Sequence, residues 1–129
     1  MSLTSEEKVL GAVAHFGILF SWVGIIIALT IFLLQKDKSG FASHHAKQAL
    51  GYQLAAAVLF FVLGLFTAGG MMGGMMMAPQ AALPSFMGVF GFWGLLCLAV
   101  VGYGIYGAVR ALMGKEFRYA LIGEFIDRI

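Results

Sequence analysis

The sequence predicts an all-α integral membrane protein with three transmembrane helices and a short C-terminal amphipathic interfacial helix. Residues 48–109 contain no Lys, Arg, Asp or Glu, and a second uncharged run covers residues 9–34. A transmembrane helix needs about 20 apolar residues, so both runs are long enough to cross a bilayer. The composition agrees, because 61% of residues are hydrophobic and 11% are charged, against about a quarter charged in typical soluble domains.

A chain of 129 residues with this composition predicts one membrane domain over residues 1–129. Residues 2–8 are acidic rather than basic, and the 26-residue run that follows exceeds a signal-peptide core of about 7–15 residues. We therefore expect the first span to remain in the mature protein. The single cysteine, Cys97, cannot form an internal disulfide.

The first span is expected at about residues 9–34. Thr4 and Glu7 have the spacing of a capping box, in which each residue satisfies backbone or side-chain groups of the other at a helix start. A helix over this run would be about 39 Å long, at about 1.5 Å per residue. Because a hydrocarbon core is about 30 Å thick, such a helix would tilt or project from the membrane.

The second and third spans are expected at about residues 48–67 and 86–113. A polar turn separates the first two spans, and Ser43 can cap the helix that follows it. Residues 68–85 hold two glycine pairs, two prolines and five methionines, and we predict that this stretch is irregular because Gly and Pro disfavour helix interiors. Gly114 is expected to end the third span.

The C-terminal residues 115–129 have apolar side chains at four-residue steps, with charged residues on other faces. This spacing predicts a short amphipathic helix that lies on the membrane surface. The apolar positions are Phe117, Leu121, Phe125 and Ile129.

Basic residues set the predicted orientation. Three spans would place seven of the eight Lys and Arg residues on one side, which the positive-inside rule assigns to the cytoplasm. The sequence therefore predicts a protein of the bacterial cytoplasmic (inner) membrane with its N-terminus out and its C-terminus in.

A polar interaction site is predicted at the cytoplasmic mouth of the second span. His45, Lys47 and Gln48 lie there, and Arg118 and Tyr119 of the tail should lie on the same side. An alternative is that these side chains only bond their own loop. Two more polar side chains, His15 and Gln53, fall inside predicted spans and need partners in lipid.

His15 should lie near the outer face, away from His44 and His45. The three histidines are therefore not expected to converge on a metal ion.

Three short blocks carry a resemblance to a known family. They are SEEKVL at residues 5–10, KDKSGF with HAKQAL at residues 36–50, and GKEFRY with the residues after it at 114–126. The chain resembles small bacterial membrane proteins related to the twenty-kilodalton subunit of the chloroplast inner-envelope translocon, a Tic-like family. It departs from that pattern at Gly40 and Ala120, where proline is expected, and at His44, where an aromatic is usual. The resemblance implies a polytopic helical membrane protein and suggests a translocon-like component.

The leading functional hypothesis is a non-catalytic membrane subunit. No catalytic, cofactor or metal motif is present in the sequence, and no basic aromatic patch suggests nucleic acid. Small residues recur at helix-packing intervals, which predicts association with lipid and with other membrane subunits or a second copy. Two alternatives are a translocon-like or channel component, and a copper binder that uses an outward loop with Met71, Met72, Met75, Met76 and Met77.

Overall fold

The computed structural model describes residues 2–129, which form five α-helices and two 3₁₀ segments. Contacts divide the chain into two compact units. The first comprises the described residues up to Ala55 together with Val101–Ile129, and the second comprises Ala56–Val100. The α-helices are α1 (Ser5–Phe16), α2 (Trp22–Gln35), α3 (Gly40–Met77), α4 (Ala82–Leu112) and α5 (Gly123–Arg128), and the 3₁₀ segments are Gly17–Phe20 and Pro79–Ala81.

The first uncharged run folds as a helical hairpin. The capping box of Thr4 and Glu7 starts α1 as predicted, but α1 ends at Phe16 and a 3₁₀ segment follows it. Ser21 then has a positive φ of 53°, and α2 returns along α1. The predicted single helix over residues 9–34 is therefore wrong, because the chain reverses within it.

Two glycines allow the arms of this hairpin to touch. The backbones of Gly17 and Gly24 approach so closely that a Cβ atom on Gly24 would overlap the carbonyl group of Gly17. At the open end of the hairpin, Ser39 Oγ donates a hydrogen bond of 2.7 Å to Glu7 Oε1. The start of α1 and the loop after α2 therefore lie side by side, which contradicts the prediction that a membrane separates them.

Helix α3 is longer than the predicted second span. Its start at Gly40 is supported by Ser39, whose Oγ accepts a hydrogen bond of 3.1 Å from Ala42 N. The helix continues to Met77, so the predicted end near residue 67 and the predicted irregular stretch over 68–85 are wrong. Each glycine in a helix interior costs about 1 kcal/mol relative to alanine, but the glycines of this stretch do not end the helix. Pro79 begins the 3₁₀ segment that separates α3 from α4.

Two helical stretches are long and apolar enough to cross a membrane. They are Gly40–Met77 and Pro79–Leu112, and only 6% of the most apolar window of each is buried inside the protein. Three spans are thus not found by this criterion. Because so much apolar surface lies uncovered, these helices require a lipid or protein environment.

The C-terminal tail differs from the predicted interfacial helix. Gly114 ends α4 with a positive φ of 69°, but only Gly123–Arg128 is helical after it. Phe117 and Tyr119 are buried, so this part of the tail packs within the first unit, to which it belongs. The predicted apolar stripe does not form, because its four members do not share one helix.

Candidate functional site

Helices α1 and α3 bring His15 and His45 into contact inside the first unit. Both side chains are fully buried, and His15 Nε2 lies 3.1 Å from His45 Nδ1. The expectation that His15 lies near the opposite face is wrong. Because the hairpin folds α1 back, the last turn of α1 lies beside the second turn of α3.

The two imidazoles belong to one chain of hydrogen bonds. His45 Nε2 lies 3.2 Å from the carbonyl oxygen of Lys115, and a carbonyl oxygen can only accept, so His45 Nε2 carries the proton. A neutral imidazole has one N–H donor, so His45 Nδ1 accepts from His15 Nε2. His15 Nδ1 in turn accepts from the hydroxyl of Tyr119 at 2.8 Å. The carbonyl of Lys115 thus fixes the tautomer of both neutral rings.

Aromatic rings surround Tyr119, whose hydroxyl is the first donor in this series of hydrogen bonds. Its ring stacks on Tyr52 with a centroid distance of 3.8 Å and an interplanar angle of 4°. Tyr103 and Phe117 meet it edge-on at 5.1 Å and 4.8 Å. Burial raises the pKa of the Tyr119 hydroxyl, with further contributions from Tyr52 and Tyr103. The hydroxyl therefore keeps its proton and remains a donor.

Gln48 joins α3 to the tail through both ends of its amide. Its Nε2 donates to the carbonyl of Gly123 at 2.9 Å and to Asp127 Oδ1 at 2.7 Å. Its Oε1 accepts from the backbone N–H of Tyr119 at 3.3 Å. The side chain is fully buried, so the amide substitutes for bonds that water would otherwise provide.

Asp127 gathers the charged members of the predicted site. Arg118 Nε lies 2.6 Å from Asp127 Oδ2, and Lys47 Nζ donates to the Asp127 backbone carbonyl at 3.2 Å. The Arg118 side chain is 63% exposed, so this ion pair adds little stability by itself. It joins α5 to the preceding part of the tail, whereas Lys47 and Gln48 are the side chains that join α5 to the start of α3.

We call His15, His45, Gln48, Tyr119 and Asp127 the polar cluster. The predicted residues His45, Lys47, Gln48, Arg118 and Tyr119 all lie in it or contact it. The sequence interpretation missed Asp127 and His44, whose Nε2 lies 3.0 Å from the carbonyl of Phe117. The sequence gives no direct signal for Asp127, because its partners on α3, Lys47 and Gln48, are about 80 residues away along the chain.

Gln53 lies one layer deeper and contacts the hairpin. Its Nε2 donates to the carbonyl of Ala14 at 2.8 Å, which satisfies an acceptor near the end of α1. Gln53 Oε1 is buried and has no hydrogen-bond partner among residues 2–129. The sequence predicts that Gln53 needs a hydrogen-bond partner, and the structure provides one for Nε2.

Glu7 connects the hairpin to α3 at the surface. The backbone N–H of Thr4, with the hydroxyls of Ser39 and Thr4, holds the pKa of the Glu7 carboxyl below its usual value. Because that pKa is depressed, the stabilisation is present above the usual carboxyl pKa. It is lost as the pH falls through the depressed value.

Replacing Gln48 with alanine should release the tail from α3. The variant loses three hydrogen bonds at once and leaves the N–H of Tyr119 and the carbonyl of Gly123 without this partner. We expect hydrogen exchange at residues 117–128 to accelerate in detergent-solubilised protein, as the local opening free energy falls. Lys36→Ala, at an exposed position in the first loop, is the control. Unchanged exchange in the Gln48 variant would contradict the proposed anchoring.

These observations define the class of protein. It is a small helical protein with two helices that are long and apolar enough to cross a membrane, and most of its buried polar side chains bond one another or its own tail. Across residues 2–129 no group of three or more His, Cys, Asp or Glu side chains could hold a metal ion.

The chain belongs to the MamF/MmsF family, the magnetosome magnetite crystal formation protein family, whose family model matches residues 6–126. No significant match was found among curated proteins or among solved structures.

This membership corrects the resemblance to the Tic-like family. The blocks that carried it are short, and the match over residues 6–126 assigns the chain elsewhere. Two of the departures from the Tic-like pattern have structural roles here. The backbone N–H of Ala120 donates to Tyr103 Oη at 2.8 Å, which a proline could not do, and His44 contacts the tail.

Proposed function

We propose that this protein is a non-catalytic subunit of the magnetosome membrane that takes part in magnetite crystal formation. The observation that supports this most is the family match over residues 6–126. In this proposal the first unit is a rigid base, and the protein associates with copies of itself through the helices of the second unit.

Glycine packing supports the proposed association. In the first unit, glycines such as Gly11, Gly104 and Gly107 have neighbours within 3.3 Å of an added Cβ atom. Their small size is therefore used within the chain. In the second unit every glycine has open space around it. The glycines with open space there are Gly64, Gly69, Gly70, Gly73, Gly74, Gly88, Gly91 and Gly94.

One open face lies on α4. At about 100° per residue, Gly91 and Gly94 lie within a narrow arc, and Leu98 falls between them. Close approach of helices at such small residues is a common mode of association in lipid, where van der Waals packing drives contact. We therefore assign this face to contact between copies.

The polar cluster supports a structural rather than a catalytic role. Its imidazoles, its buried amide and its tyrosine hydroxyl are paired with one another or with backbone groups. A general base or a nucleophile needs access to a substrate atom. The geometry of this cluster instead suits it to fixing the tail on the helices.

The two alternatives have no specific support. The translocon-like hypothesis depended on the Tic-like resemblance, which the family match overturns. The methionines that suggested copper lie on the last turns of α3 rather than on a loop. Met71 and Met75 line a cavity of about 500 Å³, whereas Met76 and Met77 are exposed on the outside.

The proposal predicts that Gly91→Leu blocks association and impairs crystal growth. A Cβ atom added at Gly91 meets nothing within 4 Å in its own chain, so we expect the monomer to fold, while helix contact at this face is lost. Gly40→Leu adds the same bulk at another open position and is the control. Light scattering of the purified protein in mild detergent measures the assembly.

Crystal diameters are measured by electron microscopy in magnetosome-forming cells that lack the natural gene. We expect the unaltered protein and Gly40→Leu to restore crystal size, and Gly91→Leu to fail. Normal crystals in the deletion strain would overturn the role in crystal formation. Normal assembly of Gly91→Leu would overturn the assigned face.

A further inference from the structure

The α1–α2 hairpin has two arms of similar length, and both are too short to cross a bilayer. From Lys8 to the end of the 3₁₀ segment the chain rises about 20 Å, at about 1.5 Å per residue in α-helix and about 2 Å in 3₁₀ helix. Helix α2 has 14 residues and is about 20 Å long. A hydrocarbon core is about 30 Å thick.

The outside of the hairpin is apolar. Trp22 is 77% exposed and Ile26 is 63% exposed, and Phe20 and Leu33 are also more than half exposed. No Lys, Arg, Asp or Glu occurs in residues 9–35. Such a surface is unfavourable in water, since apolar area costs about 25 cal/mol per Å². It suits contact with acyl chains.

The open end of the hairpin is polar and charged. Glu7 and Ser39 are hydrogen-bonded there, and the tail contacts the start of α3 through Gln48 and Lys47. The N-terminal residues, the first loop and the tail therefore belong to one polar end of the first unit. All eight Lys and Arg residues of the chain lie in these segments or in the adjoining turns of α3 and α4.

We propose that the α1–α2 hairpin is a re-entrant element that binds the acyl-chain region of a phospholipid bilayer. It enters from the side that carries the basic residues, reverses at residues 17–21 inside the membrane, and leaves on the same side. Helices α3 and α4 then provide the two complete crossings, and the Pro79–Ala81 turn reaches the opposite side. By the positive-inside rule the basic side faces the cytoplasm. This topology does not depend on a role in crystal formation.

Cysteine accessibility tests the topology. In a Cys97→Ala background, single variants Ser2→Cys, Asp37→Cys and Gln80→Cys are labelled in intact cells or sealed vesicles with a membrane-impermeant maleimide. We expect Ser2→Cys and Asp37→Cys to react from the same side, and Gln80→Cys to react only from the other. Reaction of Ser2→Cys from the side of Gln80→Cys would show that the first run crosses the membrane, and would overturn the proposal.

A cross-link provides a test that does not depend on sidedness. Glu7→Cys with Ser39→Cys should form an intramolecular disulfide in native membranes upon oxidation, because the parent side chains are in contact. Glu6→Cys with Ser39→Cys is the matched control, since Glu6 is exposed and lies about 100° around α1 from Glu7. Absence of the first cross-link, or equal yields of both, would overturn the hairpin in the membrane.

Tryptophan fluorescence tests the lipid contact itself. In a Trp93→Phe variant, Trp22 is the remaining tryptophan of the two in the chain. The probe is a vesicle of phosphatidylcholine with brominated acyl chains, compared with the unbrominated lipid. We expect loss of Trp22 emission in the brominated vesicles. Unquenched emission would mean that water or a second copy covers this face, and would overturn the lipid contact.

Discussion

Replacing Gly24 with alanine is expected to lower the free energy of unfolding by about 3 kcal/mol or more. The new methyl group would overlap the carbonyl group of Gly17, and backbone cannot move aside as a flexible side chain can. The arms of the hairpin would have to separate, which also breaks the contact of Gln53 with the end of α1.

Gly64→Ala is the matched control for this effect. Gly64 lies within α3 and has nothing within 4 Å of an added Cβ atom. The same chemical change should therefore stabilise the helix by about 0.5–1 kcal/mol, the usual difference between Gly and Ala in helix interiors. Helical circular dichroism during heating in detergent measures both variants. A Gly24→Ala protein that melts at or above the unaltered temperature would refute the close contact.

Replacing His15 with alanine should have the second large effect. The variant loses its bonds to Tyr119 and His45, leaves both partners buried, and creates a cavity where a fully buried ring had been. Unsatisfied buried groups cost about 1–3 kcal/mol each, and large-to-small core substitutions cost about 2–5 kcal/mol. We expect a total loss of about 3–5 kcal/mol.

The Tyr119→Phe variant distinguishes the effect of the lost hydrogen bond on stability from the effect of the cavity. It removes one hydroxyl, keeps the stack on Tyr52, and leaves His15 Nδ1 without a donor. We expect a smaller loss of about 1–3 kcal/mol. Denaturation of the three purified proteins in mixed micelles measures the free energy of unfolding. We expect it to be highest for the unaltered protein, lower for Tyr119→Phe and lowest for His15→Ala. If His15→Ala were as stable as the unaltered protein, the hydrogen-bond chain would not contribute to the fold.

Hydropathy was sufficient to predict an all-helical chain with long apolar helices, but not the path of the first uncharged run. A charge-free stretch buries its apolar side chains in lipid equally well as one long helix or as two short arms, so residues 9–34 look alike in both cases. A single helix over residues 9–34 would be about 39 Å long, whereas the hydrocarbon core is about 30 Å thick. This excess length is the one quantitative indication that the helix is interrupted. The reversal of the chain brings Gly17 and Gly24 into contact, and helix propensities of single residues do not predict such a contact.

Local propensity also failed to predict the other helix boundaries. Gly69, Gly70, Gly73 and Gly74 disfavour a helix by propensity alone, yet α3 continues through them. Proline acts differently because it removes a donor, and Pro79 does mark the end of the helical run. In the tail, a four-residue apolar period predicts a helix, but residues 115–122 are not helical, and Phe117 and Tyr119 are buried among other residues of the first unit.

Polar side chains at the mouth of an apolar helix need partners, which is the ground on which the sequence predicts a shared site for His45, Gln48, Arg118 and Tyr119. The structure brings these side chains into one network of contacts. The role of the site as an interaction surface stays a prediction. His15 was separated from them only because the hairpin was not foreseen. Asp127 was not singled out, because a carboxylate near other charged residues is usually solvated.

The long sequence separations within the polar cluster bear on biosynthesis. His15 and Tyr119 are 104 residues apart, and Gln48 and Gly123 are 75 apart. While a ribosome is still making α4, the imidazoles and the amide have no tail to bond, so water or headgroups must satisfy them. Closure of the fold therefore waits for residues 115–127 to emerge. A nascent chain stalled before that point would present to chaperones and proteases three polar side chains, those of His15, His45 and Gln48, whose bonds to the tail are not yet made.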